Sequence, residues 1–151
     1  MIVVIASYIS YNLDPFAKKL ASGLGAVYRQ LDDDFLLKNT GFFEEPKQGK
    51  IVFTGHVIAS RLKVPCVKIF LKESNETIYN RIALEKKLSI DNAKQKHLDM
   101  LKQEKERVNR LYGIDLNNSD PYDLVMRIDN LDLKSVISIL EKFIAKHQLE
   151  K

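Results

Sequence analysis

The loop between the first apolar run and the first helix lies where a phosphate-binding loop would lie, but it lacks that loop's chemistry. The opening stretch IVVIASYISYNLDPFAKKLASGLG has the order of an apolar strand, a short polar loop and an amphipathic helix. A loop of the form G-x-x-x-x-G-K-[S/T] places glycines, a lysine and a hydroxyl here. Aligned by strand-to-helix spacing, the chain has Ser7 and Asn12 at the glycines, Leu13 at the lysine and Asp14 at the hydroxyl. Each of the motif's characteristic residues is replaced, although Ser7, Ser10 and Asn12 keep hydrogen-bonding groups.

Asp14 is the replacement with the largest electrostatic consequence. Asp followed by Pro predicts a helix start with Asp14 as the N-cap and Pro15 at the first helical position. A carboxylate at the positive end of a helix would repel a phosphate at 4 Å by about 4 kcal/mol in an effective dielectric near 20. That repulsion corresponds to about a thousandfold in affinity. Two interpretations remain open: a capped helix after a polar turn, or a phosphate cradle of an unusual type.

Polar residues also follow the second and third predicted strands. Asp32 and Asp33 follow the second, where a carboxylate can accept a hydroxyl proton or help to hold Mg²⁺. The alternative is that these aspartates cap the next helix, FLLKN. His56 follows the third strand and could contact a phosphate or a base edge, or make a structural hydrogen bond instead. Arg61 completes this candidate acceptor site, with a solvated side chain as the alternative.

These candidates depend on strands that alternate with helices. Five short runs have the apolar or β-branched character of strands: 2–5, 26–30, 51–53, 66–71 and 124–128. Helical periodicity follows Asp14 up to Gly25, and it recurs over 74–87, 90–112 and 133–147. The third of these helices has an apolar stripe at positions 93, 97, 101, 108 and 111. The alternation predicts an α/β fold with a parallel sheet built from right-handed crossovers.

The composition favours one soluble globular domain. The chain has 151 residues, of which 45% are hydrophobic and 29% are charged. The net charge of +4 permits anionic ligands without requiring nucleic acid. The single Cys66 excludes an internal disulfide and a multi-cysteine metal site, and we expect this residue to be buried in a strand. The first apolar run is too short for a signal peptide or a membrane span, so we expect a cytoplasmic protein.

The C-terminal half carries a family resemblance. The segment VKIFLKESNETIYNRIALEKKLSIDNA has RIA in a helix after a strand, and a long helix ends at YGID before YDLV. Together with GKIVFTGHVIASRL, these segments resemble the nucleoside monophosphate kinases of the P-loop superfamily. The likeness is greatest to archaeal-type cytidylate kinases and extends to adenylate-kinase-like NTPases. It implies a three-layer α/β fold, with a five-stranded parallel sheet and helices on both faces. It also implies phosphoryl transfer from ATP to a nucleoside monophosphate, with Mg²⁺.

The resemblance assigns roles to particular residues. Asp33, Arg107 and Arg110 would be the catalytic residues, and Asp32, His56 and Arg61 would line the acceptor site. A single domain, 1–151, would contain a shortened monophosphate-binding insert at about 35–50 and a long lid-type helix at about 90–112.

The chain departs from the family's pattern at four positions. The lysine is replaced by Leu13, the Mg²⁺-binding hydroxyl by Asp14, the acidic residue after the third strand by Thr54, and one lid arginine by Met100. These losses favour a degenerate member that binds nucleotide or phosphate weakly, or acts as a regulatory module.

Two other functions stay open from the sequence. One is an active kinase of the CMP type, in which Lys18, Lys19, His56 or the lid arginines replace the missing lysine. The other is a ligand-free interaction subunit, whose exposed Phe42 and Phe43 would bind a protein partner or a second copy.

Overall fold

The computed structural model describes residues 1–7, 12–31 and 49–149. In chain order the strands are β1 (Ile2–Ser7), β2 (Val27–Arg29), β3 (Ile51–Thr54), β4 (Val67–Lys72) and β5 (Leu124–Arg127). The helices are α1 (Asp14–Leu24), α2 (His56–Arg61), α3 (Asn75–Lys86), α4 (Ile90–Tyr112) and α5 (Leu133–Leu149). All five predicted strands and all four predicted helices are confirmed, and the six-residue α2 is an addition to them.

The five strands form one parallel sheet in the order β2-β3-β1-β4-β5. The first strand is central, and all six of its residues are buried, which is why IVVIAS has no polar alternation. Its register places Ile5 beside Thr54 of β3 and beside Ile69 of β4. Because every strand runs the same way, the residues that follow β1, β2 and β3 meet at one edge of the sheet.

Helices cover both faces of the sheet, as the predicted α/β three-layer class requires. Val3 and Ile5 pack with α1 and α5 on one face, and the alternate residues Ile2 and Val4 pack with α2 and α4 on the other. This division follows from the two-residue period of a strand. Among the described helices, none is long and apolar enough to cross a membrane.

The helices α3 and α4 pack against each other through Ile78, Ile82, Ala83 and Ala93. The start of α3 is held to the end of β5 by Asp129. Its carboxylate accepts hydrogen bonds from the backbone N–H of Ser74 at 2.9 Å and from Thr77 Oγ1 at 2.6 Å. These bonds hold the pKa of Asp129 below its usual value, with the Thr77 bond as the largest cause.

Two sequence expectations about packing are wrong. Cys66 is half-buried and lies just before β4 rather than buried within a strand. On α4, Leu111 is 39% exposed and Tyr112 is buried instead. The buried residue four positions after Val108 is Tyr112, as helical geometry requires, whereas the expected stripe placed the apolar contact one residue too early.

Candidate functional site

The candidate site is a pocket of about 310 Å³ at the edge of the sheet where β1 and β3 end. It brings together Ser7, Asn12, Leu13, Asp14 and His56, which the sequence singled out from two separate segments. The loop between β1 and α1 contains residues 8–11, so the candidate Ser10 lies outside the described residues. The described lining therefore combines the ends of β1 and β3 with the first turn of α1.

Helix α1 starts one residue earlier than predicted. The N-cap is Leu13, which makes no side-chain cap, and Asp14 is the first helical residue. The expectation that Asp14 caps the helix is therefore wrong. The cause is Asn12, whose Oδ1 accepts the N–H of Asp14 at 3.1 Å and turns the chain before Leu13. The carboxylate of Asp14 nevertheless lies in the first turn, where the positive end of the helix favours a negative charge.

The Asp14 carboxylate is held by a tyrosine that sequence reasoning did not identify. Tyr28 Oη, from β2, donates to Asp14 Oδ1 at 2.5 Å and lies 3.2 Å from Thr54 Oγ1 of β3. Burial, followed by the hydrogen bond to Asp14, raises the pKa of the Tyr28 hydroxyl, which stays protonated as the donor. These bonds tie α1, β2 and β3 together and give Asp14 a fixed position.

His56 is the first residue of α2 and lines the pocket from the β3 side. Gly55, which precedes it, has φ 130°, a backbone conformation that a residue with a Cβ rarely adopts. Burial lowers the pKa of His56, and the nearby Glu104 opposes this shift with a smaller effect. The imidazole is therefore neutral near pH 7 and adds no positive charge to the pocket.

Glu104 of α4 also lines the pocket and is a second site residue that the motifs did not reveal. Its two carboxylate oxygens accept from Arg107 Nε at 2.8 Å and from Arg107 Nη2 at 2.7 Å. The candidate lid arginine Arg107 is thus paired within its own helix. An (i, i+3) spacing places such pairs on one helix face, and that spacing is the signal that could have indicated the pair.

The other predicted site residues lie away from this pocket or outside the described residues. The guanidinium of Arg61 lies 5.2 Å from the centre of the Tyr112 ring, and neither Arg61 nor the exposed Arg110 lines the pocket. The remaining candidates, Asp32, Asp33, Phe42 and Phe43, fall within 32–48 and outside the described residues.

Two carboxylates line this pocket, and one of them, that of Glu104, is already balanced by its pairing with Arg107. The lining contains the carboxylates of Asp14 and Glu104, the neutral His56, and no lysine or arginine from the parts of the chain that the structure describes. Within the same parts, no three His, Cys, Asp or Glu side chains cluster closely enough to hold a metal ion. The described pocket therefore presents hydrogen-bonding groups and negative charge.

Solved structures with the same fold include kinases. An uncharacterized protein from Eubacterium ventriosum aligns with a TM-score of 0.70 at 17% identity, over 97% of this chain and 98% of its own. The shikimate kinase of Acinetobacter baumannii aligns with a TM-score of 0.59 at 15% identity, over 98% of this chain and 94% of its own. At such identities the likeness concerns the fold, which is that of the P-loop kinases.

Curated relatives are cytidylate kinases of archaea. That of Pyrobaculum aerophilum is 31% identical over 97 residues, which cover 64% of this chain and 53% of the relative. That of Methanosphaera stadtmanae is 30% identical over 77 residues, 51% of this chain and 44% of the relative. The chain thus spans about half the length of the curated relatives that it matches. The sequence profile of the cytidylate kinase-like family matches residues 12–130. The chain is therefore a member of the cytidylate kinase-like family.

Proposed function

We propose that this chain is a member of the cytidylate kinase-like family that does not transfer phosphoryl groups from ATP. In this proposal it serves as a binding or regulatory module that keeps the kinase scaffold. The chain has the fold and belongs to the family, but phosphoryl transfer depends on the residues at one edge of the sheet.

The observation that carries the proposal is the charge of the described lining at the β1–α1 edge. Phosphoryl transfer is catalysed chiefly by positioning and by neutralising the charge that spreads over the phosphoryl oxygens. Here Leu13 replaces a cation, and Asp14 and Glu104 add two carboxylates. A triphosphate in this pocket would meet the negative charge of Asp14 on the α1 side, whereas Glu104 on the α4 side already has Arg107 as its partner.

The described residues of this pocket do not fit the ATP and Mg²⁺ that the family uses. Asp14 is committed to the Tyr28 hydroxyl, and Arg107 is committed to Glu104. Lys18 and Lys19 are exposed and lie one turn or more into α1, beyond the first turn where phosphate contacts form. We therefore derive no reaction step through ATP. Nucleotide binding that remains would be weak and would depend on hydrogen bonds from Ser7 and Asn12.

One double variant tests the proposal by restoring the missing chemistry. The double substitution Leu13→Lys with Asp14→Ser returns a cation and a hydroxyl to the first turn of α1. We expect the unaltered chain to form no ADP from ATP and CMP above the rate of spontaneous hydrolysis. We also expect the double variant to show a thermal shift with ATP and Mg²⁺, because a ligand at 100 times its dissociation constant stabilises by about 2.7 kcal/mol.

The matched control is Asp91→Ser, which removes an exposed carboxylate from the first turn of α4. It changes the net charge as Asp14→Ser does but lies away from the pocket, so it should leave the ATP response unchanged. CMP-dependent ADP formation by the unaltered chain, lost on substitution at positions 12–14, would show an active kinase and overturn the proposal. An ATP response that Asp91→Ser reproduces would mean that net charge alone governs binding.

A further inference from the structure

A second and larger pocket lies between α4 and the β4–β5 part of the sheet. Its volume is about 400 Å³, and its described lining comes from α2, β4, α3, α4, β5 and the segment 116–122. This volume lies within the range of small-molecule sites, which is about 300–1,000 Å³. Of its described residues, His56 and Glu104 also line the pocket at the β1–α1 edge, but Leu13 and Asp14 do not. The two pockets therefore have different chemistry.

The wall on the sheet side is aromatic and apolar. The rings of Phe70 and Tyr122 have centroids 5.2 Å apart and are tilted by 55°. Leu101 and Leu116 continue the apolar lining. Burial raises the pKa of the Tyr122 hydroxyl far above its ordinary value, so this ring carries no charge. A planar aromatic ligand can pack edge-to-face or offset on such a wall, which favours it over a flexible polar one.

The charges of the lining favour a negatively charged ligand. Lys72 and Lys105 provide two ammonium groups, and Glu104 provides one carboxylate. Burial lowers the pKa values of His56 and His97, so both rings are neutral near pH 7. Because Glu104 is paired with Arg107, the two ammonium groups give this lining a net positive charge.

Polar groups around this wall can orient a ligand. Asn117, Asn118 and Ser119 line the pocket from the segment before β5. His97 forms part of the wall, is 2% exposed, and stacks edge-on against Tyr79 at 5.8 Å. Its Nδ1 has no hydrogen-bond partner in the part of the chain that the structure describes. A buried polar atom without a partner is uncommon in a native fold, and a bound group is one explanation for it.

We propose that this pocket binds a small aromatic carboxylate: one planar ring against Phe70 and Tyr122, and one negative charge beside Lys72 and Lys105. The proposal is independent of the function proposed above, because neither substituted residue of the α1 turn lines this pocket. It adds a ligand site on the face of the sheet beneath α4.

The first test is an NMR titration of the ¹⁵N-labelled chain with 4-hydroxybenzoate. We expect saturable shifts of the amide signals of Asn117, Asn118 and Ser119, and small changes at Ser7 and Asn12. Two probes each lack one required feature: 4-hydroxybenzamide lacks the charge, and cyclohexanecarboxylate lacks the planar ring. Both should bind to this pocket more weakly than 4-hydroxybenzoate.

Variants then locate the site. Lys105→Met keeps the length of the side chain but removes its charge, and we expect about fivefold weaker binding of 4-hydroxybenzoate. The control Lys102→Met removes an exposed lysine of the same helix that does not line the pocket, and it should leave the affinity unchanged. Val125→Trp should fill the pocket from the partly exposed β5 and abolish binding.

Three results would overturn the inference. One is the absence of saturable shifts at millimolar 4-hydroxybenzoate, and another is equal binding of the uncharged or the non-planar probe. The third is an equal loss of affinity in the Lys105 and Lys102 variants. A thermal melt of each variant checks folding, and the titration of the unaltered chain decides the question even where a variant does not fold.

Discussion

At the scale of single residues, the proposed function depends on the carboxylate that Asp14 places in the first turn of α1. Asp14 does not act alone, because Tyr28 of β2 donates to it and also meets Thr54 of β3. Removing the Asp14 carboxylate would leave the partly buried Tyr28 hydroxyl with one hydrogen-bond partner fewer. The residue that we propose excludes a triphosphate therefore also joins three elements of the fold.

The Tyr28–Asp14 bond makes a prediction about stability. Tyr28→Phe removes the donor, and we expect the free energy of unfolding to fall by about 1–2 kcal/mol, since a hydrogen bond to a charged group contributes about that much. Urea denaturation measures the change. Asp14→Asn keeps an acceptor for the hydroxyl, so its loss should be smaller. Equal stability of the Tyr28→Phe variant and the unaltered chain would show that the bond contributes nothing.

The lowered pKa values of two histidines predict how the free energy of unfolding depends on pH. Burial lowers the folded-state pKa values of His56 and His97, and the charge of Arg81 lowers that of His97 further. Below the unfolded value of 6.5 the unfolded chain binds protons that the folded chain does not bind, so acid favours unfolding. We expect stability to fall as the pH drops from 7 to 5. The slope should diminish in the double variant His56→Gln with His97→Gln, and an unchanged slope would contradict the assignment.

At the scale of elements, β1 and the turns that follow β1 and β3 decide which side chains can meet. Runs of apolar and β-branched residues were sufficient to predict all five strands, although only β1 is buried along its whole length and β4 alternates between buried and more exposed residues. The short α2 escaped prediction, since six residues are too few for helical periodicity. Its first residue, His56, was nevertheless identified as a candidate from its place after a strand.

Elements are also joined by single carboxylates, as the contact between β5 and α3 shows. Asp129→Ala would remove the acceptor for Ser74 and Thr77 at the start of α3. We expect the free energy of unfolding to fall by about 1–3 kcal/mol, because the donors of Ser74 and Thr77 would lose their charged acceptor. Chemical denaturation checks this, with the exposed Asp120→Ala as the control. Equal effects of the two substitutions would contradict the role given to Asp129.

The candidate site was predictable only in part. Ser7, Asn12, Leu13 and Asp14 could be identified from the spacing between a strand and a helix, which is a local property of the chain. Glu104 and Tyr28 could not, because their approach depends on how α4 crosses the sheet and how β2 pairs with β3. Arg107, to which the resemblance assigns a catalytic role, is instead paired with Glu104 in the structure.

At the scale of the whole molecule, charge is distributed unevenly between the surface and the pocket at the β1–α1 edge. The chain has 24 lysines and arginines against 20 aspartates and glutamates, a net charge of +4. The described lining of that pocket nevertheless holds two carboxylates and no lysine or arginine. The positive net charge therefore does not indicate an anion site there. The fold alone does not decide what this edge binds, because function depends on the residues of the site.

The central claim is that the edge of the sheet at the start of α1 does not bind the triphosphate of ATP. Titration calorimetry of the intact chain with ATP and Mg²⁺, near neutral pH and at millimolar ligand, tests this directly. The account predicts no saturable heat in the unaltered chain and a saturable isotherm when Leu13→Lys and Asp14→Ser are combined. A saturable isotherm in the unaltered chain, lost on substitution at positions 12–14, would contradict it.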